Sequence, residues 1–359
     1  VNESLDIDPA VQPSVESRFD SVTVGTWCAV LAAFGYTASI IALRQLAKHE
    51  GLDWAIWVSC MKAVPVSLTA AAIILYRKSR GRLAWPSARI VLELLATGFF
   101  MQFFANVTFQ WALSLGGMAL SVSLSNAALM LTGAALGWLI LKEHPTLRST
   151  CAILLLTVAI CILSLGAEAT SRHNAIQNSF WLVAITVAAA ILAGFVWGLA
   201  GVIIRRVVTR EVPVAVTIFL LSITGVVGLG LTTLWRMGPQ WMLETTSGEF
   251  QTMMVAGGFT TIAFFAITES LRRITVVRAN LLNASQIAMA AVSGVILFDE
   301  RMTVGLVTGS ALTVVALMMM DRPKSPNVES QAVSNQFTED SGVSSATTKQ
   351  IVNETQSPN

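Results

Sequence analysis

Residues 183–192 read Val-Ala-Ile-Thr-Val-Ala-Ala-Ala-Ile-Leu. A membrane β-strand alternates apolar and polar side chains over roughly ten residues, and these positions do not alternate. The apolar character continues on both sides, from about residue 179 to residue 204. A helix needs about 20 mostly apolar residues to cross a bilayer, so the stretch reads as a membrane-spanning helix. Nine further runs of the same kind lie near 24–43, 54–76, 90–112, 118–141, 148–166, 213–235, 252–270, 277–298 and 303–320. Short connections separate them, among them Lys78-Ser79-Arg80-Gly81-Arg82, Gly116-Gly117, Glu143-His144-Pro145 and Arg236-Met237-Gly238-Pro239. The expected fold is an all-α polytopic membrane protein with ten transmembrane helices.

Composition supports this. Of 359 residues, 54% are hydrophobic and 12% charged, and the mean hydropathy is +0.67. A soluble domain carries about a quarter charged residues; half that share leaves too little polar surface to cover a water-soluble globule. The formal net charge of +2 gives no nucleic-acid signature, four cysteines make no disulfide scaffold, and three separated histidines argue against a metal enzyme.

Residues 1–23 and 321–359 hold five acids each and are rich in polar residues, so both are expected to be disordered tails. No basic segment followed by an apolar run and a cleavage site opens the chain, so no cleaved signal peptide is expected. With the N-terminus inside, 17 of the 23 basic residues fall on the inner side and five (Arg44, Lys48, Arg172, Arg236, Arg301) on the outer, leaving Lys62 within a span. Cytoplasmic loops concentrate Lys and Arg, so both termini are expected in the cytoplasm of an inner or plasma-membrane protein.

The chain also repeats itself. Asn126-Ala127, Gly137, Glu143 and Thr146 recur 157 residues later as Asn283-Ala284, Gly294, Glu300 and Thr303. Phe34, Tyr36 and Arg44 are matched 161 residues later by Phe195, Trp197 and Arg205. Five helices is an odd number, so the second copy enters from the opposite face. Such inverted repeats, here 24–166 and 179–320, are the architecture of many secondary transporters, whose site lies near the midplane between the copies.

Residues 119–162, with small and hydroxyl side chains, a glycine-bearing helix and "LKEHPT", resemble an EamA domain, and 276–318, with "FDERMT" in the same place, resemble a second. The resemblance to EamA-type members of the drug/metabolite transporter superfamily covers about residues 24–320. It implies ten spans in two five-helix halves and export or exchange of a small metabolite, often an amino acid or drug-like compound. Where that family commonly places an arginine in the second helix, this chain has Lys62, which cannot make a planar bidentate contact.

Lys62 lies about eight residues, roughly 12 Å, into its span, with Pro65 close behind and no acid nearby in sequence. A charge at that depth faces a cavity or a partner. It reads as a contact for an anionic group or as a titrating site; the alternatives are pairing with carbonyls freed by Pro65, or snorkelling. Asn126 and Asn283, with Gln102, Asn106 and Gln286, form a polar set read as cavity hydrogen-bonders or interhelical bonds. Phe34, Tyr36, Phe195, Trp197 and Trp111 are candidate pocket walls. Trp54, Trp57, Trp235 and Trp241 are expected in the interfacial belt. Glu93 with Arg89, and Glu269 with Arg272 and Arg273, have the spacing of ion pairs on one helix face. Glu143 and Glu300 precede Thr146 and Thr303, expected N-caps of the next helices, with a gate as the functional alternative.

Nothing matches a phosphate-binding loop, a zinc-protease pair or a nucleophile elbow, so no enzyme, metal or cofactor is expected. The partners are a small solute and the lipid bilayer, with a coupling proton left open. The reading is a secondary transporter working by alternating access, in the efflux direction; a channel and a non-transporting receptor are the alternatives.

Overall fold

Helix follows helix wherever the computed structural model describes the chain, which is at residues 15–47, 51–81, 83, 85–143, 146–168, 180–210, 212–240, 244–298 and 304–319. In chain order these are α1 (Val15–Leu46), α2 (Leu52–Ser79), α3 (Ala88–Met118), α4 (Leu120–Leu141), α5 (Leu147–Glu168), α6 (Phe180–Val208), α7 (Val214–Met237), α8 (Ser247–Arg273), α9 (Val276–Phe298) and α10 (Val304–Met318). Among the described residues eight stretches are long and apolar enough to span a bilayer: Ser21–Leu46 in α1, Ala184–Val208 in α6, and α2, α3, α4, α7, α8 and α9. The expected spans at 148–166 and 303–320 fall on α5 and α10, which run over 22 and 15 described residues. Helix α1 begins at Val15, inside the stretch expected to be a disordered tail; residues 1–14 and 320–359 lie outside the described residues.

Local sequence explains the breaks. Gly117 adopts φ 74°, ψ −175°, a conformation open essentially to glycine, and there α3 ends and α4 starts. Thr246 and Glu249 form a reciprocal capping box at the start of α8, and Thr275 accepts the Arg278 N–H at the start of α9. Thr146 accepts the Ser149 N–H and caps α5 as expected. Two spans are wider than α-helical in their middles: Met101–Asn106 in α3 and Gly225–Leu229 in α7 are π-helical.

The helices approach through glycine. A Cβ on Gly194 of α6 would run into the Ser125 carbonyl of α4, and one on Gly198 would lie 2.8 Å from the Leu129 carbonyl. Gly98 of α3 sits likewise on the Leu221 carbonyl of α7, and Gly257 of α8 on Pro65 and the Lys62 carbonyl of α2, each 2.7–2.8 Å from such a Cβ. Lipid tails are as apolar as leucine, so close van der Waals packing holds membrane helices together. Outside the bundle Leu68, Leu75, Leu92, Leu139, Leu154 and Ile296 stand exposed, the surface that acyl chains cover.

Ion pairs mark the two ends. At one end Arg205 of α6 binds Glu143 at the end of α4, Arg206 binds Glu93 of α3, and Glu269 of α8 binds Arg273 at 2.6 Å and Arg272 at 3.8 Å. At the other, Arg236 at the end of α7 meets Asp53 at the start of α2 at 2.8 Å. Two expectations are corrected here. Glu93 pairs across helices with Arg206 instead of along its own helix with Arg89, because the end of α6 brings a guanidinium beside it. Glu143 also accepts the Val276 N–H at the start of α9, 3.1 Å away. Its repeat partner Glu300 lies outside the described residues, as does Trp241. Trp54 and Trp57 are buried instead of facing an interface: their indole N–H groups bind the Leu46 carbonyl and the Thr245 hydroxyl, whereas Trp235 is exposed.

Candidate functional site

A cavity of about 150 Å³ lies among α1–α4 and α6–α9. An apolar cavity of this size takes a benzene-sized molecule, so the space suits one small solute. Lys62 is the one charged side chain among the described lining residues, and it is buried.

The lysine sets the direction of a relay of hydrogen bonds. An ammonium only donates, so the Asn106 side chain turns its oxygen to Lys62 Nζ, 3.1 Å away. Asn106 Nδ2 then donates to Gln102 Oε1 at 2.7 Å, and Gln102 Nε2 donates to the Leu221 carbonyl of α7 at 3.2 Å. Lys62 therefore serves neither the carbonyls freed by Pro65 nor the surface: its described partner is a side chain in the cavity wall. The π-helical stretch of α3 carries Met101, Gln102 and Asn106, all of which line the space; such widened turns recur at functional sites. Gly225, in the π-helical stretch of α7, leaves room for Gln102, whose Cδ lies 2.7 Å from where a Cβ would be.

A second polar group faces the space from α4 and α9. Gln286 Nε2 donates to Asn126 Oδ1 at 2.9 Å, and Asn126 Nδ2 donates to the Val122 carbonyl at 2.8 Å. Asn283 Oδ1 is buried without a hydrogen-bond partner. A buried acceptor left unsatisfied costs about 1–3 kcal/mol, and a solute bearing an N–H or O–H would relieve it. On α1, Ser39 donates to the Ala256 carbonyl at 2.9 Å, so the Thr260 hydroxyl, 2.7 Å away, donates to Ser39. Tyr36, Phe109, Trp197 and Phe264 supply the aromatic walls, with the Phe109 and Trp197 rings 5.0 Å apart.

Eight of the eleven expected residues thus line one cavity: Tyr36, Lys62, Gln102, Asn106, Asn126, Trp197, Asn283 and Gln286. Phe34, Phe195 and Trp111 do not. Residues two apart on a helix face opposite ways, so once Tyr36 and Trp197 face inward, Phe34 and Phe195 must face outward, where they are exposed. By the same geometry Phe109, one turn beyond Asn106, takes the place expected for Trp111, which packs against the apolar core. Ser39, Phe109, Thr260, Phe264 and Asn280 were not anticipated, yet the repeat spacing points to several of them. Tyr36, Ser39, Ile40 and Leu43 line the cavity from α1, and Trp197, Ala200, Gly201 and Ile204 line it from α6, each pair 161 residues apart. Gln102 and Thr260, Asn106 and Phe264, and Phe109 and Ile267 are each 158 apart on α3 and α8.

The cavity is thus lined at matched repeat spacings by helices of both halves of the chain, with one cation and a set of amides among the described lining residues. The model of the EamA-like transporter family matches residues 23–165 and again 184–320, and the chain belongs to that family. Among solved structures, a protein with 16% sequence identity superposes with a TM-score of 0.60 over 84% of this chain and 96% of that one, which shows the likeness of fold. No curated protein matches.

Proposed function

We propose that this protein is a secondary transporter that exports a small anionic or zwitterionic metabolite by alternating access, with ten spans in two inverted halves and both termini in the cytoplasm. Lys62 carries the reading: a cation held at mid-span by Asn106, in a cavity whose described lining has no carboxylate to neutralise it. A solute carboxylate or similar anionic group completes that pairing. The unpartnered Asn283 oxygen supplies an acceptor for a donor on the same solute, and the aromatic walls take its apolar part. The 17-to-5 division of basic residues supports the orientation. The end that holds Glu93, Glu143, Arg205, Arg206 and Arg273 is then cytoplasmic.

The test is metabolite profiling of medium and cell extract from cells overproducing the protein, beside Lys62→Ala. A charge-assisted hydrogen bond is worth about 1.5–3 kcal/mol, so efflux of the true solute is expected to fall roughly 10- to 150-fold. A solute found this way is then run in liposome counterflow, where a carrier shows stimulation by trans solute and a channel does not. Flux at the wild-type rate in Lys62→Ala, with normal protein yield, overturns the role given to the lysine.

A further inference from the structure

The charges around the cavity decide which ionic form of a solute it can hold. Lys62 is the one charged side chain among the described lining residues, and it is 7% exposed. Asp53, Glu93, Glu143 and Glu269 stand at the ends of the bundle, each already paired with an arginine. A solute with a single negative charge therefore brings the filled cavity to neutrality. A zwitterion adds no net charge and leaves one positive charge over; a dianion overshoots by one negative charge. Buried charge without a partner is expensive at mid-span, so the lining selects a monoanion against both.

Hydrogen-bonding groups in the wall narrow the class further. An ammonium has three N–H donors; one on Lys62 goes to Asn106 Oδ1, which leaves two for a carboxylate. The wall hydroxyls offer no second anion site. Ser125 and Ser222 donate to the Val122 and Phe219 carbonyls, Ser39 donates to the Ala256 carbonyl, and Thr260 donates to Ser39. Asn283 differs from all of these: it is 5% exposed, lines the cavity from α9, and its Oδ1 has no hydrogen-bond partner. A solute ammonium could donate to it, but would carry a second positive charge into a space that already holds Lys62. A neutral hydroxyl donates without that charge. Tyr36, Phe109, Trp197 and Phe264 offer aromatic faces to a flat ring, and about 150 Å³ accommodates one.

We infer that the cavity takes a hydroxyl-bearing aromatic monocarboxylate, with the carboxylate on Lys62 and the hydroxyl donating to Asn283 Oδ1, and turns away the corresponding zwitterion. The inference rests on the transport reading above and chooses between the two ionic classes which that reading allows. Asn283 is then the residue that sets specificity. A site with a buried acceptor rejects an analogue that leaves the acceptor unpaired, and the uncompensated lysine rejects one that brings another cation.

The test compares solutes that share a ring and a carboxylate and differ in one substituent. Purified full-length protein in detergent at neutral pH is titrated calorimetrically with benzoate and its 3- and 4-hydroxy derivatives. The 3- and 4-aminomethyl zwitterions and the dianion terephthalate complete the series. The better hydroxy acid is expected to bind about tenfold more tightly than benzoate, the zwitterions and the dianion, and to show counterflow in liposomes. Asn283→Ala is expected to bring the hydroxy acid and benzoate to within about twofold of each other. Lys62→Gln weakens both by about tenfold or more and keeps their ratio. The wild-type ranking decides the matter if either variant folds poorly. Binding of benzoate, a zwitterion or the dianion as tight as that of the hydroxy acids overturns the inference. If that binding still falls in Lys62→Gln, the anion contact of the transport reading stands. Failure of the whole series to bind also overturns the inference, and the metabolite profile then separates the two ideas. A solute whose efflux is lost in Lys62→Ala keeps the transport reading; the lack of one removes both.

Discussion

Glycine at position 201 and glycine at position 194 share one helix and do opposite things. A Cβ on Gly201 meets nothing within 4 Å, because the residue faces the cavity; one on Gly194 runs into the Ser125 carbonyl of α4. Gly201→Ala is expected to leave the melting temperature unchanged or slightly raised, since alanine favours a helix by about 1 kcal/mol over glycine. It narrows the cavity, so the largest solutes that the wild type moves are expected to drop out of the metabolite profile first. Gly194→Ala is expected to lower stability by about 1–3 kcal/mol through overpacking, visible as a lower melting temperature in detergent. If the two variants melt alike, the placement of Gly201 on the open space is wrong. Lys62 belongs to the same scale: its effect runs through one hydrogen bond to Asn106, and that bond fixes how two further amides are turned.

Among the elements, α3 does most to shape the site. Its π-helical stretch changes the register of the helix just where Gln102 and Asn106 must face inward, and Gly117 then lets the chain fold back into α4. At φ 74°, ψ −175°, any residue with a Cβ is strained. Gly117→Ala is expected to cost about 1–3 kcal/mol, measured as a fall in thermal stability with the transported solute unchanged. An unaltered melting temperature would mean that the turn tolerates a side chain and that the α3–α4 break has another cause. The sequence signalled the turn through the pair Gly116-Gly117, but it held no sign of the π-helical stretch. That widening is stabilised by what packs on it, namely Phe103 against Gly228 and Gln102 against Gly225, and those contacts come from a helix more than a hundred residues away.

For the whole molecule, the charge-based orientation proposed above makes a prediction about the two ends of the bundle. If the end rich in arginine is cytoplasmic, exposed positions at Ser79 and Thr209 (as Ser79→Cys and Thr209→Cys) react with an impermeant thiol reagent only in inside-out vesicles. Gln240→Cys reacts only in right-side-out ones. The reverse pattern would invert the topology and turn the Arg205 end outward. The sequence by itself determined the helical class, the membrane setting, the two-fold repetition and most of the polar residues of the cavity. It could do so because apolar length, charge count and repeat spacing are local or additive properties. Which side chains share the space was decided only by tertiary structure. Phe34 and Tyr36 are equally aromatic in sequence, yet helix rotation turns one outward and the other inward. Glu93 and Glu143 found partners on α6 that no local spacing announces, since a guanidinium satisfies whichever carboxylate the packing of helices brings within reach.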